Sequence, residues 1–154
     1  MKIRTILLGL GASLLLTFAS VPAHAASKNF IAVMNSGQET PPNTSGAFGV
    51  AFFTFDTKTG QLCYRVSYSH LEGGAETASH IHGPGPNMPA TPGQPGQVLL
   101  AIAESGSPKN NCVTPVPDTL KALKKALPKG LTYVNVHSAQ FPGGEIRGQI
   151  LPTK

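Results

Sequence analysis

The sequence predicts an all-β domain, an antiparallel sandwich or Greek-key barrel carrying one short helix. Three observations lead there. Short runs that alternate apolar and polar residues, or are rich in aromatic and β-branched ones, are separated by clusters of Gly, Pro, Asn and Ser. Only one stretch, 118–127, carries its leucines at helical spacing. No internal repeat divides the chain, and its length suits one domain with a real core.

The N-terminus stands apart. Lys2 and Arg4 make a basic start, 6–21 is a mostly apolar run without charge, and Ala23-His24-Ala25 places small residues ahead of Ala26. This is the pattern of a cleaved export signal; the run is short for a membrane span and lacks basic stop-transfer residues behind it. We therefore expect a signal peptide over 1–25, a single domain over 26–154, and a periplasmic or secreted protein with no membrane span after cleavage. Without Lys2 and Arg4, ten Lys and Arg remain against seven Asp and Glu, a net +3. A balance that small, with no basic cluster interleaved with aromatics, does not point to nucleic acid.

The chain then unfolds as strands and turns. Residues 30–34 read as a first strand, 35–46 as a loop of prolines, glycines and turn-formers, and 47–55 as a buried strand. Beyond the turn Asp56-Thr57-Lys58-Thr59-Gly60, Leu62, Tyr64, Val66 and Tyr68 alternate with Cys63, Arg65, Ser67 and Ser69, which completes a hairpin. Residues 83–97, dominated by Gly, Pro, Asn and Thr, form a surface loop; a strand resumes over 98–103, and 104–117 is irregular. In the helix, Asp118 caps the start and Pro128 and Gly130 end it. Its leucines share one face and its lysines another, as in a helix that covers a barrel end; a membrane-surface helix is the alternative. The last hairpin joins 132–138 to 145–151 through Phe141-Pro142-Gly143-Gly144.

Two cysteines, Cys63 and Cys112, complete the framework. In an oxidising compartment such a pair favours a disulfide, whose loop would contribute about 4 kcal/mol on the chain-entropy account. Thiolate metal ligation is the alternative, but the spacing matches no zinc motif.

The chemistry concentrates in Ala78-Ser79-His80-Ile81-His82-Gly83-Pro84 and Tyr133-Val134-Asn135-Val136-His137. Side chains alternate along a strand, so His80 and His82 share one face while Ile81 takes the other. Their Cα atoms lie roughly 6.6 Å apart, two strand steps, so both imidazoles can lean onto one ion. In the second segment Val134 and Val136 mark a core face and His137 lies on the opposite one. If the strands belong to one sheet, three imidazoles converge outside the core. His70, at a strand end, is a candidate fourth ligand, with a solvated loop histidine as the alternative. Met88 could offer a thioether to copper, although loop methionines more often pack on apolar surface. Glu145 and Arg147 share a face and are placed to pair; the other reading of Arg147 is steering of anions towards the histidines.

Four ordered segments carry a family resemblance: Gly37-Gln38-Glu39-Thr40-Pro41-Pro42, Ser79-His80-Ile81-His82-Gly83, Tyr133-Val134-Asn135-Val136-His137 and Pro142-Gly143-Gly144-Glu145-Ile146-Arg147-Gly148-Gln149. Together they resemble the CHRD (chordin) domain, over nearly the whole chain from about Phe30 to Leu151, with an expanded 83–97 segment as the departure. The resemblance implies an immunoglobulin-like β-sandwich, found as repeats in growth-factor-binding animal chordins and as single exported domains in bacteria. The histidine arrangement is similar to that of copper–zinc superoxide dismutases, which implies a superoxide-dismutase-like barrel as the other form of the fold. No second, zinc-binding cluster is present, so the likeness is to a copper-only site.

Two functions remain in view. In the first, His80, His82 and His137 bind a metal, copper before zinc, with an open position that would admit superoxide or another small anion. In the second, the domain is a non-catalytic module binding a protein of the cell envelope, and its histidines lock loops over the sheet. No catalytic serine, cysteine or paired-carboxylate arrangement is visible.

Overall fold

A computed structural model describes residues 27–84 and 93–154 of the protein. The expected signal peptide and Met88 lie outside the described residues. Eight strands, β1 (Ser27–Asn35), β2 (Phe48–Asp56), β3 (Leu62–Ser69), β4 (Glu76–Gly83), β5 (Gln97–Ala101), β6 (Lys109–Val113), β7 (Thr132–Ser138) and β8 (Ile146–Pro152), accompany one α-helix, α1 (Pro117–Ala126). The strands form one sheet in the order β5-β4-β7-β8-β1-β2-β3-β6, with every neighbouring pair antiparallel. The expectation of an all-β antiparallel fold with one short helix holds.

Alternation along the strands sets the two faces. Phe30, Ala32 and Met34 of β1, Phe53 and Phe55 of β2, and Leu62, Tyr64 and Val66 of β3 all turn inward. Ile81, Val134, Val136 and Ile150 complete the same core from β4, β7 and β8. The sheet curls around this core into a half-barrel until its two ends meet. There, buried Lys109 of β6 pairs with Glu76 of β4 and donates to Ser79 Oγ at 2.6 Å. Helix α1 closes one open end, burying Leu123, with Leu127 buried just beyond it, while Lys121, Lys124 and Lys125 stay in solvent.

Two local expectations are corrected. Asp118 does not cap α1: the cap residue is Val116, without a side-chain hydrogen bond, and Pro117 opens the helix. Proline at that position has no N–H to satisfy and a pre-set φ, so the chain turns helical two residues earlier, and Asp118 sits in the first turn, where its charge suits the helix dipole. The stretch 104–117 is not irregular throughout, because β6 pairs with β3. In that register Cys63 faces Cys112, and the two form the disulfide. No thiolate is left over for a metal.

Candidate metal centre

Strands β4 and β7 are neighbours, with His80 opposite Asn135 and Ala78 opposite His137. His137 is therefore diagonal to His80, a separation that rings can span. Ile81, Val134 and Val136 are fully buried in the core, which holds the intervening residues on the outer face. A register irregularity between Ile81 and His82 against edge strand β5 bends the strand beside the histidines. One ring nitrogen from each of His80, His82 and His137 lies within 4.8 Å of the others.

Backbone carbonyls fix two of the three rings. His82 Nδ1 lies 2.9 Å from Gly96 O, and His137 Nδ1 lies 2.9 Å from Pro142 O. A carbonyl only accepts, so each Nδ1 carries the proton and each Nε2 keeps its lone pair. Carbonyl-held imidazoles of this kind are the usual supporting arrangement of histidine metal ligands. His137 Nε2 then accepts from His80 Nδ1 at 3.1 Å. His82 Nε2 is buried and has no hydrogen-bond partner. An unpartnered buried acceptor is costly unless something fills its place. Burial first, then the charge of neighbouring histidines, pushes His80 and His82 below the ordinary histidine range; Gly96 O and, more weakly, the Asn135 side chain partly restore His82. Burial also lowers His137, against the pull of Pro142 O and Glu76. All three are held neutral, the form that ligates.

Around the rings lies a second layer that is polar yet buried. Tyr133 stacks on His82, with centroids 4.7 Å apart and planes 2° from parallel. The Arg147 guanidinium carbon sits 3.4 Å from the Tyr133 centroid. The Gly96 N–H donates to the Tyr133 hydroxyl at 3.1 Å, so one glycine holds both Tyr133 and His82. A Cβ at Gly96 would press on Gly83 O at 2.8 Å. Glu39 is buried near Arg147, and desolvation raises its pKa to about 7 against the opposing charge of Arg147. Gly144, at φ 129°, leaves the room Glu39 occupies; a Cβ there would strike its carboxylate.

The remaining candidates fall elsewhere. Glu145 and Arg147 do not pair. Glu145 accepts from Ser45 Oγ at 2.7 Å and from the Glu72 N–H at 2.6 Å, whereas Arg147 donates to Thr40 Oγ1 at 3.2 Å and Gln94 O at 2.9 Å. Arg147 is only 3% exposed. Glu145 precedes β8 at the turn, so the strand spacing that would align the two does not apply. His70 stacks on Phe48, 5.6 Å between centroids. Phe48 is linked to His80 through Asn35, Arg147 and Asn135 in register. Those four strand spacings amount to roughly 19 Å along the sheet, so His70 is not brought to the triad. Asn135, Tyr133 and Glu39 were not singled out as site residues. The alternation of β7 points to the first two; nothing in local spacing points to Glu39.

A family model of the CHRD domain matches residues 30–150. The chain belongs to the CHRD domain family. No curated protein and no solved structure matches it. The four segments that resemble the family are those that meet here. The loop of Glu39 and Thr40, the two histidine strands of this CHRD domain and the Arg147 strand build one outer-face cluster. Among the described residues no helix is long and apolar enough to cross a membrane.

Proposed function

We propose that this CHRD domain is an exported copper-binding protein with His80, His82 and His137 as its ligands. The observation that carries the reading is the orientation of the rings. Two Nδ1–H groups are tied to Gly96 O and Pro142 O, which leaves His82 Nε2 buried, unpartnered and beside His80 and His137. Three neutral imidazoles suit copper or zinc, copper is held more tightly among divalent ions, and three protein donors leave a position open. The Cys63–Cys112 disulfide supports an oxidising compartment, in keeping with export and the signal peptide over 1–25.

Bound copper would supply one-electron chemistry; zinc would not. A finer proposal is therefore superoxide dismutation, in which one superoxide gives up an electron and leaves as dioxygen. A second takes up that electron with two protons and leaves as hydrogen peroxide. The protein's part is to hold three rings neutral and preset. Arg147 has a supporting role in this reading: its guanidinium covers Tyr133 and ties the 39–40 and 93–96 loops over the sheet. Anion steering has less support, because that guanidinium is buried and engaged.

The test is metal content of protein purified without a histidine tag, then copper titration followed by EPR. One equivalent of Cu(II) with several nitrogen couplings is expected, and His82→Ala should weaken binding by more than the roughly 10–100-fold that loss of an outer partner of a ligating histidine costs. Unchanged affinity in His82→Ala would end the assignment. Turnover is tested separately: copper-loaded protein must exceed free copper mixed with the His82→Ala variant.

One observation favours a second reading, a metal-free binding module. The His80–His137 bond and the two carbonyl bonds already use four of the six ring nitrogens, as histidines that lock loops would. A fully folded protein that takes up copper only weakly and nonspecifically would select that reading.

A further inference from the structure

The charges of the molecule are segregated. Lys28 begins β1, Lys58 lies in the β2–β3 turn, and Lys154 follows Thr153, whose N–H bonds to Asn29 O. These three cluster at one end of the half-barrel. Helix α1 and its extension add Lys121, Lys124, Lys125 and Lys129 to the same end. Leu120 packs there against Gly60 of the turn, and Gln149 Nε2 of β8 donates to Gly130 O at 2.7 Å. All seven lysines are exposed. Only Asp56 and Asp118 oppose them, and Asp56 is committed to the turn amides of Lys58 and Thr59. The five glutamates lie away from this end, three of them spent on Lys109, Tyr64 and Ser45.

Up the outer face from that end, beyond the exposed, hydrogen-bonded Asn29–Thr54 pair, the sheet becomes apolar. Leu151 of β8 and Phe52 of β2 flank Ile31 in one register row. Phe52 and Leu151 are each 50% exposed, and Val116 at the start of α1 is 68% exposed. Arg65 continues the row next to Phe52. Lysines would satisfy any polyanion, but exposed Phe and Leu beyond them call for an apolar partner as well. Cations level with phosphates and apolar side chains a few ångströms deeper is the chemistry of a lipid headgroup boundary.

We propose that the rim where this end meets the outer face of β8, β1 and β2 docks the protein peripherally on an anionic lipid surface. The lysines meet the headgroup phosphates, and Phe52 and Leu151 enter the acyl boundary. The proposal is independent of the metal.

Sedimentation with vesicles tests it, using phosphatidylcholine alone and mixed with phosphatidylglycerol. The protein should bind the mixed vesicles at low salt, release as salt screens the lysines, and ignore phosphatidylcholine. A lysine near the surface is worth about fivefold, so Lys124→Glu with Lys125→Glu and Lys129→Glu should cost at least about a hundredfold. Phe52→Ser with Leu151→Ser should weaken vesicle binding by about tenfold or more and leave retention by dextran sulfate unchanged. Salt titration of the unmutated protein gives the electrostatic result even if a variant fails to fold. Absence of binding to the mixed vesicles overturns the proposal. So does vesicle binding indifferent to the Phe52 and Leu151 changes, which would assign the rim to soluble polyanions.

Discussion

Glu39 shows how far a single residue can depart from what its neighbours in sequence suggest. Burial lifts its pKa from 4.5 to about 7, and the positive charge of Arg147 offsets only part of that. A carboxyl whose folded pKa is raised helps stability least when ionised. Its contribution is fullest below pH 4.5 and is lost as pH climbs through about 7. Glu39→Gln cannot ionise, so its stability relative to the unmutated protein should improve from pH 5 to pH 8, by about 2 kcal/mol. Urea denaturation at the two values measures this; a constant difference would mean that Glu39 is not desolvated. Gly96 acts at the same scale on the candidate ligand. Gly96→Ala must push back from Gly83, loosening the carbonyl that holds His82 Nδ1. Copper affinity should fall about tenfold, as for other outer partners of a ligating histidine, with little change in the EPR nitrogen count.

Among the elements, β4 and β7 were legible because alternation survives in them. Ile81, Val134 and Val136 declare a core face and the histidines declare the other, so the triad follows once the strands are neighbours. The hairpin of β2 and β3 was legible for the same reason. Strand β6 was not. Its inward-facing Lys109 inverts the usual code, since it is buried against a carboxylate that only the curled sheet brings near. The loops over the histidines were equally hidden: Arg147 and Glu145 find partners some fifty to a hundred residues distant, which no local spacing announces. The one sequence signal for β6 was Cys112, whose disulfide pins the strand to β3. Cys63→Ala with Cys112→Ala should therefore lower stability by about 4 kcal/mol, read as a shift in the urea midpoint. Because β6 is an end strand, amide exchange should rise first over 109–113. Uniform loss of protection would instead make β6 inseparable from the rest of the fold.

At the scale of the whole molecule, the half-barrel depends on what joins the two ends of its sheet. Lys109 of β6 reaches across to Glu76 and Ser79 of β4, and Glu76 also accepts from the Tyr68 hydroxyl at 2.7 Å and the Gly106 N–H at 2.8 Å. Burial alone would raise the pKa of Glu76, but these donors, Lys109 foremost, outweigh it and hold the group below 4.5. Its stabilisation is accordingly present above pH 4.5 and drains away as pH falls through the depressed folded value. Replacing one partner leaves the other charge buried, a change that costs about 3–5 kcal/mol. Lys109→Met should pay that penalty at pH 7, and Lys109→Met with Glu76→Gln should recover much of it, because neither charge remains. At pH 3 Glu76 of the single variant is protonated, so the gap to the unmutated protein should narrow. Urea unfolding of the three proteins at both pH values gives the comparison. A single variant as costly at pH 3 as at pH 7 would show that Lys109 joins the sheet ends by packing rather than charge.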